Sequence, residues 1–247
     1  MSSIGSNLQE VKRRMASACT AAARNAEILT HAPAAPGAAV GSGGVATLTL
    51  LAVSKTFAAE AVREAHAAGQ RAFGENYVQE ALGKIDALAD LRSQLQWHLI
   101  GPLQSNKTRG VAEAFDWVHT VDRLKVAQRL SEQRPAALPP LQVCLQVNIS
   151  GEESKSGFAP HEALAAARAV AALPRLRLRG LMAIPEPAGD FQSQRQPHRA
   201  LHELLVALNA QGLQLDTLSM GMSADLEAAV AEGASLVRVG TAIFGRR

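Results

Sequence analysis

Eight short apolar runs, most of them separated by stretches of helical composition, restrict the fold of this chain more than any other feature. The runs are "LTLLAVS" (48–54), "RAFGE" (71–75), "WHLIG" (97–101), "WVHTV" (117–121), "LQVCLQVNI" (141–149), "LRGLMAI" (178–184), "LQLDTLSM" (213–220) and "SLVRVG" (235–240). Segments rich in Ala, Leu and Glu lie between them at 58–68, 76–90, 123–133, 160–172, 195–210 and 224–232. Glycine closes two of these segments, in "AAG" (67–69) and "AEG" (231–233), where a helix C-terminus favours it. Strands that alternate with helices pair in parallel through crossover connections. A closed (β/α)8 barrel needs roughly 250 residues, and eight compact units suit it better than an open sheet. A doubly wound sheet is the competing fold. Against it, no GxGxxG follows the first run, and no acidic residue stands where a ribose partner would.

The expected architecture is an α/β chain with a single (β/α)8 TIM barrel over 47–247, preceded by an N-terminal helix within 1–30 that packs on the barrel. Leu8, Val11, Met15, Cys19 and Ala22 follow helical spacing, which extends that helix over 6–29. The intervening "HAPAAPGAAVGSGGVA" (31–46) is rich in Pro, Gly and small residues and reads as a flexible loop.

Composition narrows the function classes. The net charge is +3 and the pI is near 9.1, but the basic residues are scattered. Aromatics are only 4%, so no basic patch is interleaved with stacking side chains, and a nucleic-acid surface is not expected. The apolar stretches are too short for a bilayer, and "MSSIGSNLQEVKRRM" lacks a signal-peptide core, so a cytoplasmic protein is expected. Cys19 and Cys144 have no redox or ligand spacing and read as small core hydrophobes. The histidines are dispersed, and no metal site is expected. Met182, Met220 and Met222 read as core or wall, and Trp97 and His98 as barrel packing, with a place behind the site residues as the alternative.

In such a barrel, chemistry collects at the C-terminal ends of the strands. Lys55 directly follows the first run. A lone lysine there is ordinarily a side chain with its head in water. Two features favour a reactive amine. The preceding run is wholly apolar, and a helix N-terminus follows, and both disfavour the charged form. A neutral amine is a nucleophile toward carbonyls. Ser219, Gly221 and Ser223 follow the seventh run, and Gly240 and Thr241 follow the eighth. Either loop alone is ordinary turn-and-cap chemistry, but loops after the seventh and eighth strands often form phosphate sites in barrels. The eighth strand closes onto the first, so a ligand with an aldehyde and a phosphate would span both places, as pyridoxal 5′-phosphate does. Arg238 lies between valines, two residues before Gly240. It points either outward or into the mouth. An inward guanidinium could face a pyridine nitrogen and leave it unprotonated.

The stretches "LLAVSKTF", "FGENYVQE", "WHLIGPLQSNK", "VNISGEESKSGF", "GLMAIPEP", "LSMGMSADLEAAV" and "VRVGTAIFGRR" together resemble the pyridoxal-phosphate homeostasis proteins, whose fold is related to the N-terminal barrel of alanine racemase. The resemblance runs from about Leu51 to the C-terminus. It implies that Lys55 carries pyridoxal 5′-phosphate as a Schiff base and that Asn76 lies near the cofactor. It also implies that Arg238 faces the pyridine nitrogen, and that Ser219, Ser223, Gly240 and Thr241 hold the phosphate. The implied role is a non-enzymatic carrier that buffers and supplies the cofactor, as a monomer, with pyridoxal-phosphate-dependent apo-enzymes as partners. The alternative is an amino-acid racemase or decarboxylase on the same barrel, and a cofactor-sensing regulator is a third reading. Alanine racemases use a tyrosine from a second domain of the partner subunit. That domain is expected to be absent here, and the sole tyrosine, Tyr77, lies in "GENY".

Overall fold

Runs without polar alternation belong to strands covered on both faces, as in a parallel barrel ringed by helices. Leu48, Leu50, Leu51 and Ala52 follow one another with almost no polar break, and all are fully buried. The computed structural model describes residues 3–23, 26–30, 46–152 and 155–245. In chain order the elements are α1 (Ile4–Ala21), β1 (Ala26–Leu29), β2 (Ala46–Val53), α2 (Ala59–Ala67), β3 (Ala72–Glu75), α3 (Val78–Ala87), β4 (Gln96–Leu99) and α4 (Thr108–Ala114). There follow β5 (Trp117–Val121), α5 (Leu124–Gln133), β6 (Leu141–Gln146), α6 (Ala163–Ala171), β7 (Leu176–Met182), α7 (Phe191–Ala210), β8 (Thr217–Ser219), α8 (Leu226–Ala231), β9 (Leu236–Val239) and α9 (Thr241–Phe244). Strands β2 to β9 pair in parallel in sequence order, and β9 returns to β2 with Leu51 opposite Arg238 and Ala52 opposite Val239. The result is a closed eight-strand (β/α)8 barrel.

The N-terminal helix is shorter than its apolar spacing suggests. Helix α1 ends at Ala21, Ala23 takes a positive φ of 52°, and β1 follows, so the helical reading is corrected to a turn at 22–23 and a strand at 26–29, while residues 24–25 lie outside the described residues. β1 pairs in parallel with the lower half of β2, from Ala26 opposite Ala46 to Leu29 opposite Thr49. Strand β3 joins β2 only at Ala52 and Val53. The backbone groups below that point are open to another strand, and β1 satisfies them. Residues 31–45 of the expected loop lie outside the described residues, while Ala46 is the first residue of β2.

Helix α1 buries Leu8, Val11, Met15, Ala18 and Cys19 against α8, α9 and α2. Asn7 Nδ2 donates to the Ile243 carbonyl at 2.8 Å, and Arg14 forms a two-pronged pair with Glu227 at 2.6 Å. These contacts hold the last turn of the chain, α9, over the barrel. Cys144 is fully buried as well. Helix α7 begins at Phe191, earlier than its apolar spacing shows, because Asp190 accepts from the Gln192 and Ser193 amides and caps it.

Candidate functional site

The C-terminal ends of β8, β9, β2 and β3 form one sector of the barrel mouth. It carries Ser219 and Ser223, Gly240 and Thr241, Lys55, and Asn76. A Cβ on Gly240 would meet the Val53 carbonyl oxygen at 3.2 Å, so the loop after β9 runs against the end of β2. Phe57 and Phe244 join the same two loops, with ring centroids 5.1 Å apart. Asn76 is held against the loop after β4: a Cβ on Gly101 would come within 2.2 Å of the Asn76 carbonyl oxygen, so only glycine fits there. Asn76 Oδ1 is buried and has no hydrogen-bond partner among the described residues.

Lys55 does not sit against the apolar wall. The buried run continues through Ser54, and the turn that follows lifts Lys55 into an exposed position. The expectation that its amine is desolvated by the preceding strand is therefore corrected: the strand ends before it, and α2 starts only at Ala59. What surrounds Lys55 instead is a buried charged cluster beneath its backbone. Lys84 Nζ from α3 donates to the Ser54 carbonyl and to Glu75 Oε1, both at 2.7 Å, and pairs with Glu80 Oε1 at 2.6 Å. Ser54 Oγ donates to the same Glu75 oxygen at 2.7 Å. Glu80 Oε1 accepts from the Thr56 amide. Burial pushes the Glu75 carboxyl above its ordinary range, and the Lys84 ammonium opposes that shift.

Arg238 is inside the barrel, 4% exposed. Its Nη1 donates to the Ser219 carbonyl at 2.7 Å and to Ser219 Oγ at 2.8 Å, and its Nη2 donates to the Ala183 carbonyl at 2.9 Å. Ser219 Oγ lies 2.7 Å from His119 Nδ1, His119 Nε2 lies 2.9 Å from His98 Nδ1, and His98 Nε2 lies 3.1 Å from Gln96 Oε1. β5 and β8 are not neighbours in the sheet, so this chain of contacts crosses the barrel interior. Donor bookkeeping sets its direction. At the far end Gln96 Oε1 can only accept, so His98 donates to it and accepts from His119 Nε2, which leaves His119 Nδ1 to accept the Ser219 hydroxyl proton while Ser219 Oγ accepts from Arg238. Both rings are neutral in this arrangement. Burial drives His98 well below its ordinary pKa and His119 down to about 3, and the Arg238 charge adds to the shift at His119. Burial also lowers Arg238, to about 10, which still leaves it protonated at neutral pH.

The relay changes two sequence readings. His98 is more than packing: it stacks on Trp117 with centroids 5.4 Å apart and continues the hydrogen-bonded chain. The Ser219 hydroxyl is fully buried and engaged with Arg238 and His119, whereas Ser223 is half-buried and Thr241 exposed at the rim. His119, Lys84, Glu75 and Glu80 were not singled out in the sequence. The only signal for them was their presence in "WVHTV" and "FGENYVQEALGK".

A cavity of about 290 Å³ opens on the other side of the mouth, lined by Asn76, Ile100, Thr120, Asn148, Lys155 and Ile184 among others. Of the residues expected to hold a cofactor, only Asn76 lines it. Among the described residues, no cluster of three or more His, Cys, Asp or Glu side chains could hold a metal ion. No described helix is long and apolar enough to cross a membrane.

The barrel belongs to the class defined by the N-terminal domain of alanine racemase, whose family profile matches residues 45–247. Within that class, the pyridoxal phosphate homeostasis protein of Pseudomonas aeruginosa is 60% identical over 247 residues, covering 100% of this chain and 97% of the relative. That of Escherichia coli K12 is 50% identical over 248 residues, covering 100% of this chain and 98% of the relative. The structure of PipY from Synechococcus elongatus with PLP bound superposes with a TM-score of 0.73 at 41% identity, covering 80% of this chain and 92% of PipY. An alanine racemase of Clostridium difficile shares the fold, with a TM-score of 0.64 at 14% identity over 81% of this chain and 53% of the racemase. The chain belongs to the pyridoxal phosphate homeostasis protein family.

Proposed function

We propose that this chain binds pyridoxal 5′-phosphate at the β8–β9–β2–β3 sector of the mouth and serves as a carrier that buffers and supplies it. The observation that carries the reading is the meeting of three groups there: a primary amine on Lys55, the backbone cradle at Gly240, and the buried guanidinium of Arg238. The residues fit the group. A side chain at Gly240 would crowd the Val53 carbonyl, and Asn76 Oδ1 lacks a donor among the described residues. The cofactor, when bound, supplies an aldehyde, a phosphate and a pyridine ring. Lys55 would hold the cofactor through its primary amine, which would condense with the aldehyde and release water. Ser223, Thr241 and the first amides of α9, which have no partner inside the helix, hold the phosphate. Ser219 serves Arg238 rather than the phosphate, because its proton is committed to His119. Arg238 presents a donor to the ring nitrogen and keeps it unprotonated, which weakens the ring as an electron sink.

Two acid–base groups on opposite faces of an amino acid's α-carbon would be needed for racemisation. Tyr77, the sole tyrosine of the sequence, is 56% exposed and makes no such face. The supply role therefore fits better than turnover, with the chain acting as a monomer toward apo-enzymes. The purified protein should be yellow, and borohydride should fix the cofactor to the peptide containing Lys55. Lys55→Ala should lose both properties, and an unchanged visible band in that variant would refute the assignment. α-Proton exchange of alanine in heavy water separates the carrier from a racemase, for which exchange would be rapid and dependent on Lys55.

A further inference from the structure

We propose that Glu75, Lys84 and Glu80 form a positioning device for Lys55, with Glu80 as the member that aims it. The proposal rests on the reading of Lys55 as the attachment point. Every group of the cluster acts on the backbone that carries Lys55, and no contact described for it is with the Lys55 side chain. Lys84 holds the carbonyl of the residue before Lys55, and Glu80 holds the amide of the residue after it. Glu75 ties Lys84 and Ser54 together from β3. The peptide flanking Lys55 is thus gripped on both sides by side chains of β3 and α3.

The grip has a measurable backbone consequence. Thr56 takes a φ of 71°, in the left-handed region that residues other than glycine avoid. Three such residues occur among those described, and Thr56 alone follows the C-terminal end of a barrel strand. Ala23 lies between α1 and β1, and Arg175 lies in the loop before β7. Holding a β-branched residue there costs free energy that the surrounding contacts must supply. A turn free of outside constraints would relax to ordinary φ. In this turn the Thr56 amide is bonded to Glu80, which is itself paired with Lys84, so relaxation would break that bond.

The placement is not what a purely structural ion pair requires. Lys84 and Glu75 alone would fasten α3 to β3, since both are almost fully buried at 2.7 Å. Glu80 adds little to that fastening. Its side chain is 29% exposed, and its partners are Lys84 and the Thr56 amide. Its distinctive contact is with the turn. An exposed lysine has many rotamers, and attack on an aldehyde needs one direction of approach. A misplacement of about 1 Å can cost about 100-fold in rate. Holding the Ser54 carbonyl and the Thr56 amide fixes the two peptide planes that flank Lys55, and these planes set the direction in which its Cα–Cβ bond leaves the sheet.

The test separates attachment from binding and from folding. Wild type, Glu80→Ala and Glu80→Gln are compared in three measurements. Thermal unfolding reports the fold. Equilibrium binding of 4′-deoxypyridoxine 5′-phosphate, which has no aldehyde, reports the non-covalent site. Stopped-flow rise of the visible band, with borohydride trapping and peptide mass spectrometry, reports condensation at Lys55. Glu80→Ala should bind the deoxy ligand as wild type does but condense about tenfold or more slowly. Glu80→Gln keeps an oxygen for the Thr56 amide and should stay within about twofold of wild type. Equal condensation rates in Glu80→Ala and wild type overturn the proposal while leaving Lys55 as the attachment point. Equal slowing in both variants also overturns it, because the Thr56 contact would then not be the cause. Parallel loss of deoxy-ligand binding overturns it too, by showing a general collapse of the site. If wild type itself traps no cofactor at Lys55, both the proposal and the reading beneath it fall.

Discussion

Among the described residues, two arginines of the barrel strands are buried, Arg179 on β7 and Arg238 on β9, and they are opposites. Arg179, near the N-terminal end, is 1% exposed and meets a carboxylate face to face: its Nε and Nη2 donate to the two Asp216 oxygens at 2.9 and 2.8 Å. It also donates to Gln142 Oε1 at 2.9 Å and lies 4.9 Å over the Trp117 ring. Arg238, near the mouth, is as deeply enclosed, but the hydrogen bonds described for it go to neutral oxygens of Ser219 and Ala183. The first charge is cancelled on the spot and closes the floor of the barrel. The second is held in place without a carboxylate in contact, so it remains available to an electron-rich atom in the mouth. The carboxylate that acts on it, Asp225, does so from a distance, and a charge buried on such terms is costly to keep.

The sharpest way to break this comparison is at the floor. Asp216→Ala leaves Arg179 buried and unpaired, and should destabilise the protein by about 3–5 kcal/mol in urea unfolding. A loss under about 1 kcal/mol would place the two arginines in the same category.

The next effect comes from the relay that holds Arg238. His119 is neutral when folded, with its pKa lowered to about 3 by burial and the nearby guanidinium. In the unfolded chain it titrates near 6.5. A depressed folded pKa means the stabilising contribution is complete above about pH 6.5 and is lost as the pH falls toward 3. Stability at pH 5 should be lower than at pH 7.5 by about 2 kcal/mol from this residue. His119→Phe, which has nothing to protonate, should flatten that part of the pH profile. An unchanged profile in the variant would show that His119 takes no part in it.

The smallest stability effect is expected at Arg238 itself. Arg238→Met removes hydrogen bonds but also removes a buried charge that no carboxylate contacts, so stability should change by about 1 kcal/mol or less. The loss should fall instead on cofactor retention and on the position of the visible band. A large stability loss with unaltered binding would make Arg238 another floor-type residue.

Much of this was legible in the chain itself. Lys55 stands where "LLAVSK" stops being apolar, and Gly240 and Thr241 stand where "LVRVG" does. Strand ends in a closed parallel barrel are functional positions whatever the sequence between them. The apolar periods, the glycines after helices and the spacing of eight units are set by interactions between near neighbours along the chain. Local pattern therefore determined the architecture and the addresses of the candidate residues.

Tertiary structure decided what those residues touch. The apolar spacing of 6–29 could not show that β1 would leave the helix, because the vacancy it fills lies beside β2. The orientation of Arg238 depended on Ser219 and Ala183, which are 19 and 55 residues away, and that of Ser219 on His119, 100 residues away. The exposure of Lys55 and the grip of Lys84 and Glu80 on its neighbours likewise arise only when α3 lies against the end of β2. A side chain's place along a strand is written in the local period. Its partner across a barrel interior is chosen by closure, which brings non-adjacent strands face to face and leaves each buried polar atom to find its donor or acceptor there.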